Sequence, residues 1–116
     1  TAARREAAGK TLENAQKLEP NSPETLLALG YYQHLVLRDY ALAKTTFKEV
    51  SKMVPGSSEV PKALGLVSRR EGQWDESVAY FEQALALDPR NVEFLTDTAL
   101  TYAMLRRLPS SMESSR

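Results

Sequence analysis

The chain has 116 residues, with 15 basic and 15 acidic side chains and no cysteine. This length suits one domain, and the lack of cysteine excludes disulfides and cysteine-based zinc sites. A formal charge of zero argues against a nucleic-acid binder that works by charge alone. No apolar run approaches the roughly 20 residues that span a membrane, and the N-terminal residues lack the apolar segment of a signal peptide. We therefore expect a cytoplasmic protein that binds neither membranes nor nucleic acid.

Six helical segments are predicted from apolar spacing and from helix-start signals, at residues 3–18, 23–37, 40–53, 59–71, 74–87 and 92–107. Ser22 followed by Pro23 and Glu24 offers a capping hydroxyl, a first-turn proline and an acid at the positive end of the helix dipole. Ser58 and Asn91 precede the fourth and sixth segments in the same way. Because short turns join the segments, the sequence predicts an all-α fold of antiparallel helix pairs.

Three prolines, Pro20, Pro55 and Pro89, divide the sequence into units, with separations of 35 and 34 residues. Ahead of each proline the same pattern recurs: a small residue, then a larger apolar residue four positions on, then a small or branched residue three positions further. The three sets are Ala8, Leu12 and Ala15; Ala43, Phe47 and Val50; and Ser77, Phe81 and Ala84. Steps of four and three keep these side chains on one helix face. The pattern therefore indicates an internal repeat, each unit being two helices.

A second pattern occupies the other half of each unit, where Leu29 and Gly30 recur as Leu64 and Gly65. Together the two patterns resemble the signature of the tetratricopeptide repeat (TPR) family, Trp-x2-Leu-Gly-x2-Tyr, Ala-x3-Phe and Pro over 34 residues. The resemblance covers roughly residues 1–108 and is best over 57–90. The residues that we assign to the repeat signature are Leu29, Gly30, Ala43, Phe47, Pro55, Leu64, Gly65, Trp74, Phe81, Ala84, Pro89, Ala99 and Tyr102.

The sequence departs from the family pattern in the first complete repeat, which has one extra residue between Gly30 and Ala43. Its first helix or the following turn should therefore be slightly longer. Ser77 also replaces the usual alanine, and Ser68 stands where the family prefers tyrosine.

The resemblance implies an α-solenoid of stacked antiparallel helix pairs that forms a right-handed superhelix. We expect a single TPR domain over 1–116, with the second helix of a partial repeat at 1–22, complete repeats at 23–56 and 57–90, and a partial repeat at 91–116. Neither end carries the polar cap typical of terminal repeats. A fragment of a longer array, or self-association through uncapped terminal helices, is therefore expected, with Phe94, Tyr102, Leu105 and Leu108 partly uncovered.

Small residues are expected to let paired helices approach closely at Gly30, Gly65 and Ala99. Aromatic side chains at Phe47, Phe81 and Trp74 then fill the space between units. If the Trp74 indole is well buried, truncation to alanine should cost about 3–5 kcal/mol.

Residues with catalytic or metal-binding chemistry are scarce. His34 is the sole histidine, and no metal-binding spacing, Gly-rich phosphate loop or nucleophile elbow is present. We therefore expect no catalytic residue, metal or cofactor, and no enzymatic activity.

The TPR resemblance also implies a binding surface, since the first helix of each pair lines a concave face that binds an extended peptide or a partner helix. This surface is apolar at its centre and basic on one side, which suits an acidic or aromatic-containing peptide. The alternative is a face that only keeps the array in contact with water or touches another part of the same chain. The candidate residues are Leu27, Tyr31, His34, Lys62, Leu66, Arg69, Arg70, Thr96 and Leu100.

One well-known form of this surface, the carboxylate clamp of chaperone-binding TPR domains, is rejected. The clamp needs Lys, Asn and Arg at positions that hold Leu27, Tyr31, Ala63, Glu93 and Asp97 here. Two of these five are acidic where the clamp is basic.

Two functions follow from the resemblance. The favoured one is a non-catalytic protein–protein interaction scaffold for a peptide or helix of a partner protein. The alternative is a regulatory or spacer segment of a larger bacterial signalling protein such as a cyclase or kinase.

Overall fold

The computed structural model describes residues 2–107, which form six α-helices and no β-strand. The all-α prediction is confirmed, and every helix end lies within two residues of its predicted position. Among these helices, none combines the length and the apolar character that crossing a membrane requires. The helices are α1 (Ala2–Leu18), α2 (Pro23–Leu35), α3 (Tyr40–Met53), α4 (Glu59–Arg70), α5 (Trp74–Leu87) and α6 (Val92–Arg107).

The chain divides into two compact units, Thr1–Pro55 (unit 1) and Gly56–Arg116 (unit 2). In unit 1, α2 packs against α3 and α1 packs against α2. In unit 2, α4 packs against α5 and α5 packs against α6. Each unit therefore holds one pair of sequential helices, as the repeat predicts, and one further helix. The prediction of a single domain with the stated repeat boundaries stays a prediction.

Side-chain caps fix the start of three helices. Ser22 Oγ accepts a hydrogen bond from the Thr25 amide at 3.1 Å, and Asp39 Oδ1 accepts one from the Leu42 amide at 3.1 Å. Asn91 Oδ1 caps α6 in the same way. The cap expected from Ser58 is wrong, because its side chain makes no capping bond and its backbone is already helical, with φ −72° and ψ −19°.

The core of each unit is built around one phenylalanine and one glycine on the facing helix. Phe47 and Phe81 are fully buried. A Cβ atom on Gly30 would lie within 3.0 Å of three ring atoms of Phe47, and one on Gly65 would lie 2.9 Å from Cε1 of Phe81. The glycines are therefore needed because the aromatic rings occupy the space that a side chain would take.

The extra residue of the first repeat lies in the turn rather than in the helix. The turn from α2 to α3 has four residues and that from α4 to α5 has three. Gly72 adopts a left-handed backbone with φ 78° in the shorter turn, and Arg38 adopts the same region with φ 55° in the longer one. The left-handed region costs roughly 1–2 kcal/mol for a residue with a side chain, so the turn of unit 1 is the more strained.

Six signature residues lie outside the core: Leu29 and Trp74 are half-buried, and Pro55, Pro89, Ala99 and Tyr102 are exposed. Trp74 is half-buried, so the full cost expected of its truncation does not apply. Ala99 and Tyr102 are exposed on α6. The Tyr102 hydroxyl donates to Glu82 Oε1 at 2.6 Å, and this hydrogen bond raises the pKa of Tyr102.

The residues expected to be uncovered at the C-terminal end behave differently from one another. Tyr102 is 45% exposed and Leu105 is half-buried, whereas Phe94 is only 1% exposed, so that expectation is wrong for Phe94. The Phe94 ring faces α4, where the Lys62 ammonium lies 5.9 Å from its centroid. Leu108 lies outside the described residues.

Two buried serines of unit 2 provide a matched test of hydrogen bonding in the core. Ser77 and Ser68 are both fully buried. Ser77 Oγ donates to the Gly65 carbonyl at 2.8 Å, whereas Ser68 Oγ has no hydrogen-bond partner in the described structure. We expect Ser77→Ala to lower the free energy of unfolding by about 1 kcal/mol, and Ser68→Ala to leave it unchanged or raise it. Urea unfolding followed by circular dichroism measures both, and equal losses would contradict the assignment.

Candidate functional site

Lys62 connects α4 to α6 in unit 2. Its ammonium forms an ion pair with Glu93 and lies 4.0 Å from Glu59. The side chain is only 16% exposed, since it also lies over the Phe94 ring. Lys62 therefore holds two helices together, and its charge is balanced within the unit.

Arg69, near the C-terminal end of α4, likewise connects α4 to α6. Its Nη1 lies 3.7 Å from Asp97 Oδ1 and donates to Thr101 Oγ1 at 3.4 Å. The guanidinium also lies 5.5 Å from the Phe81 ring centroid. The basic side predicted for the binding surface is thus largely neutralised by acids of α6, which the sequence interpretation did not pair with these cations.

The titration of Lys62 gives a test of this connection. Burial lowers the pKa of Lys62, but the hydrogen bond to Glu93 and the charges of Glu59, Glu93 and Asp97 outweigh it, and the pKa is raised above 10.5. The stabilisation is therefore complete below pH 10.5 and is lost as pH rises through the folded-state pKa. We expect the difference in unfolding free energy between wild type and Lys62→Gln to shrink above about pH 10.5. Lys48→Gln on the exposed face of α3 is the control, and a pH-independent difference for Lys62→Gln would contradict the prediction.

A cleft of about 530 Å³ lies beside Arg69, at the end of unit 2 where α4 ends and α5 begins. The walls combine two guanidinium groups with an indole and two apolar side chains. Leu100 is 56% exposed and Met104 is 40% exposed, although both are apolar. The lining residues are Arg69, Arg70, Trp74, Leu100 and Met104.

Local structure explains why these residues come together. Arg69 and Arg70 are the last two residues of α4, and the short turn through Gly72 places Trp74 as the first residue of α5. Leu100 and Met104 are four residues apart on α6 and so share one face. The cleft therefore depends on one tight turn and on the packing of α6.

Unit 1 contains a second, smaller cleft of about 320 Å³ between α1 and α2. Tyr31 forms part of its wall and packs edge-on against Phe47, with ring centroids 5.2 Å apart. Its other walls are mostly apolar and include Leu12, Ala28, Tyr32, Leu35 and Val36.

The structure distributes the sequence-predicted site residues over both units. Unit 1 holds Leu27, Tyr31 and His34, and unit 2 holds the other six. Within unit 2, Arg69, Arg70 and Leu100 meet in the larger cleft. Lys62 is engaged by Glu93 instead, Leu66 is half-buried, and Thr96 is exposed.

His34 does not lie on a binding surface as predicted. It is only 4% exposed, and its ring packs edge-on against Tyr40 of α3, with centroids 5.6 Å apart. The prediction placed His34 on the outer face of α2 by helical spacing, which does not include the covering side chain of α3.

Two residues that line the larger cleft were not among the predicted binding residues. Trp74 was assigned to the core on the basis of the repeat signature, and Met104 was not singled out. The sequence carries a signal for each: Met104 stands four residues after Leu100, and Trp74 follows the Arg69–Arg70 pair across a glycine turn.

Comparison with known proteins agrees with the repeat fold. Residues 62–91 match the tetratricopeptide repeat family model. The chain also shares its fold with solved TPR proteins. The repeat match over residues 62–91 and the shared fold together support a tetratricopeptide-repeat fold built from paired α-helices. No curated protein matches the chain significantly.

Among the similar structures is TTC0263, a thermophilic TPR protein of Thermus thermophilus, with a TM-score of 0.74 and 22% identity over 88% of this chain and 52% of that one. MamA from Desulfovibrio magneticus RS-1 gives a TM-score of 0.73 and 19% identity over 90% of this chain and 59% of that one. MamA of AMB-1 gives 0.63 and 24% identity, over 84% and 53%. The chain therefore spans between half and three-fifths of the length of these proteins, and at such identities the likeness shows the fold alone.

TPR proteins are typically non-catalytic scaffolds for protein–protein interaction, because stacked repeats present extended binding surfaces. Within residues 2–107, no three His, Asp or Glu side chains come together as metal ligands would.

Proposed function

We propose that this chain is a non-catalytic binding module that holds a segment of a partner protein against α4 and α6 of unit 2. The observation that carries the proposal is the cleft beside Arg70, where Leu100 and Met104 stay exposed. Arginine, tryptophan and methionine are enriched at protein interfaces, and tryptophan and arginine dominate binding hot spots. A partner that covered this cleft would remove apolar surface from water and gain a guanidinium contact.

Internal contacts support a surface that is organised before a partner arrives. Arg69 is fixed by Asp97, by Thr101 and by the Phe81 ring. Lys62 and Glu93 join the same two helices near the other end of α4. Because these side chains are already ordered, binding would lose less conformational entropy than on a loose surface.

The alternative functions rest on weaker support. None of the comparisons favours a regulatory segment of a cyclase or kinase. Self-association through α6 draws on the exposed face of Leu95, Ala99 and Tyr102. That face is on a different side of α6 from Leu100 and Met104, so substitutions can separate the two surfaces.

Selection of peptides from a random displayed library against the purified chain tests the proposal. Enriched peptides should bind wild type and Leu95→Glu alike, and should bind Leu100→Glu at least about tenfold more weakly. Both leucines are exposed on α6, so each variant should keep the wild-type helicity by circular dichroism. The absence of any enriched peptide would contradict the binding function. Peptides that are indifferent to Leu100→Glu would contradict the surface.

A further inference from the structure

The larger cleft contains one cation that no acid of the described part of unit 2 neutralises. Arg70 is exposed, and no acid among residues 2–107 lies within ion-pair distance of its guanidinium. Arg69, its neighbour, is held by Asp97 at 3.7 Å. The two arginines and Asp97 leave the mouth of the cleft with one uncompensated positive charge.

The rest of the cleft is suited to a bulky apolar group. Trp74, Leu100 and Met104 form its apolar wall. A volume of about 530 Å³ falls within the roughly 300–1,000 Å³ of typical ligand sites and can take one or two large side chains. The cleft therefore pairs a single cation with an apolar wall.

We propose that this cleft recognises an acidic–apolar element of a partner protein: one carboxylate side chain that pairs with Arg70, and a neighbouring bulky apolar side chain that packs against Trp74, Leu100 and Met104. The proposal rests on the binding function above and names the chemistry of its partner. A guanidinium binds a carboxylate through two parallel hydrogen bonds, which fixes the orientation of the acid.

Asp97 limits how many acids the partner can present. Its carboxylate already lies beside Arg69, so a second ligand carboxylate there would meet a like charge. One acid next to an apolar residue therefore fits better than a run of acids. A nucleic-acid strand fits less well, because it needs several cations along its backbone and more than one stacking aromatic, and this cleft offers one uncompensated cation and one indole.

Trp74 is the sole tryptophan of the chain, so its fluorescence reports directly on occupancy of the cleft. The probes are four end-blocked peptides, Ser-Glu-Leu-Leu-Ser and its Gln-Leu-Leu, Glu-Ala-Ala and Lys-Leu-Leu analogues, and a ten-nucleotide oligothymidylate. We expect the Trp74 fluorescence to change saturably with the Glu-Leu-Leu peptide, with a Kd below about 1 mM. The Gln-Leu-Leu and Glu-Ala-Ala analogues should bind at least about tenfold more weakly. Added salt should weaken binding of the Glu-Leu-Leu peptide most.

Charge reversal at Arg70 gives the most discriminating comparison. Arg70→Glu should weaken binding of the Glu-Leu-Leu peptide at least about tenfold and strengthen binding of the Lys-Leu-Leu peptide. Arg90→Glu is the matched control, since Arg90 is exposed in the turn between α5 and α6, at the other end of the unit. This variant should leave the affinity for both peptides unchanged.

Several results would overturn the proposal: no saturation by the Glu-Leu-Leu peptide, equal affinity for the Glu and Gln peptides, equal effects of the two charge reversals, or tighter binding of the oligothymidylate. Library-selected peptides distinguish this failure from that of the binding function. If they bind wild type and Arg70→Glu alike, the binding function is supported and the acidic–apolar specificity is contradicted. If no selected peptide binds, both fail.

Discussion

Replacing Phe81 by alanine is expected to lower the free energy of unfolding by about 3–5 kcal/mol, the range for large aromatic truncations in a core. The ring is fully buried, lies against Gly65 on one side, and has the Arg69 guanidinium 5.5 Å from its centroid. Truncation would therefore leave a cavity and remove a support of the cleft. Urea unfolding of the full chain, followed by circular dichroism, measures the loss.

Trp74→Ala is the matched comparison for this prediction. The indole is half-buried and faces an open cleft, so its truncation removes fewer contacts and leaves no closed cavity. We expect a clearly smaller loss than for Phe81→Ala. If Phe81→Ala fails to fold, Phe81→Leu should give a smaller loss in the same direction. Equal losses for Trp74→Ala and Phe81→Ala would show that the core has been placed wrongly.

Gly30→Ala is expected to destabilise unit 1 by about 1–3 kcal/mol through overpacking, even though alanine favours helices over glycine by about 1 kcal/mol. The new Cβ would lie within 3.0 Å of three atoms of the Phe47 ring, which is fully buried. Gly9→Ala is the control. A Cβ there would meet its nearest atom, Tyr32 Oη, at an ordinary 3.7 Å, so we expect a gain of roughly 0.5–1 kcal/mol.

A double-mutant cycle separates the steric term from other effects of Gly30→Ala. In a Phe47→Leu background the ring that the Cβ meets is gone, so Gly30→Ala should destabilise the chain less than in wild type. Additive effects of the two substitutions would be inconsistent with direct contact between helices α2 and α3 at this point.

The repeat made most of the fold predictable. Helix positions followed from proline spacing and from apolar steps of three and four, because both are local properties of the chain. The family signature singled out Gly30, Gly65 and both phenylalanines, but the prediction placed the rings between units. Each ring lies instead against the glycine of its own helix pair. The cap predicted at Ser58 was wrong, because this serine itself lies in helical backbone and its side chain makes no capping hydrogen bond.

The site was less predictable, because it depends on contacts between helices. Lys62 and Arg69 were assigned to the concave binding surface, but helical spacing gave no indication that Glu93 and Asp97 would engage them. Trp74 was interpreted as core because its signature position is usually buried. Whether a side chain ends in a core or in a cleft depends on the neighbouring helix, and the sequence of one helix does not contain that information.

The central claim is that unit 2 binds a partner segment through the cleft formed by the end of α4, the start of α5 and the second half of α6. The most direct test is to map backbone amide chemical shifts of the isotope-labelled chain during titration with a library-selected peptide. We expect the shifting amides to cluster around the cleft residues Arg69, Arg70, Trp74, Leu100 and Met104, and Arg70→Glu to abolish the changes. Shifts confined to α1 and α2, or to the Leu95 face of α6, would contradict it.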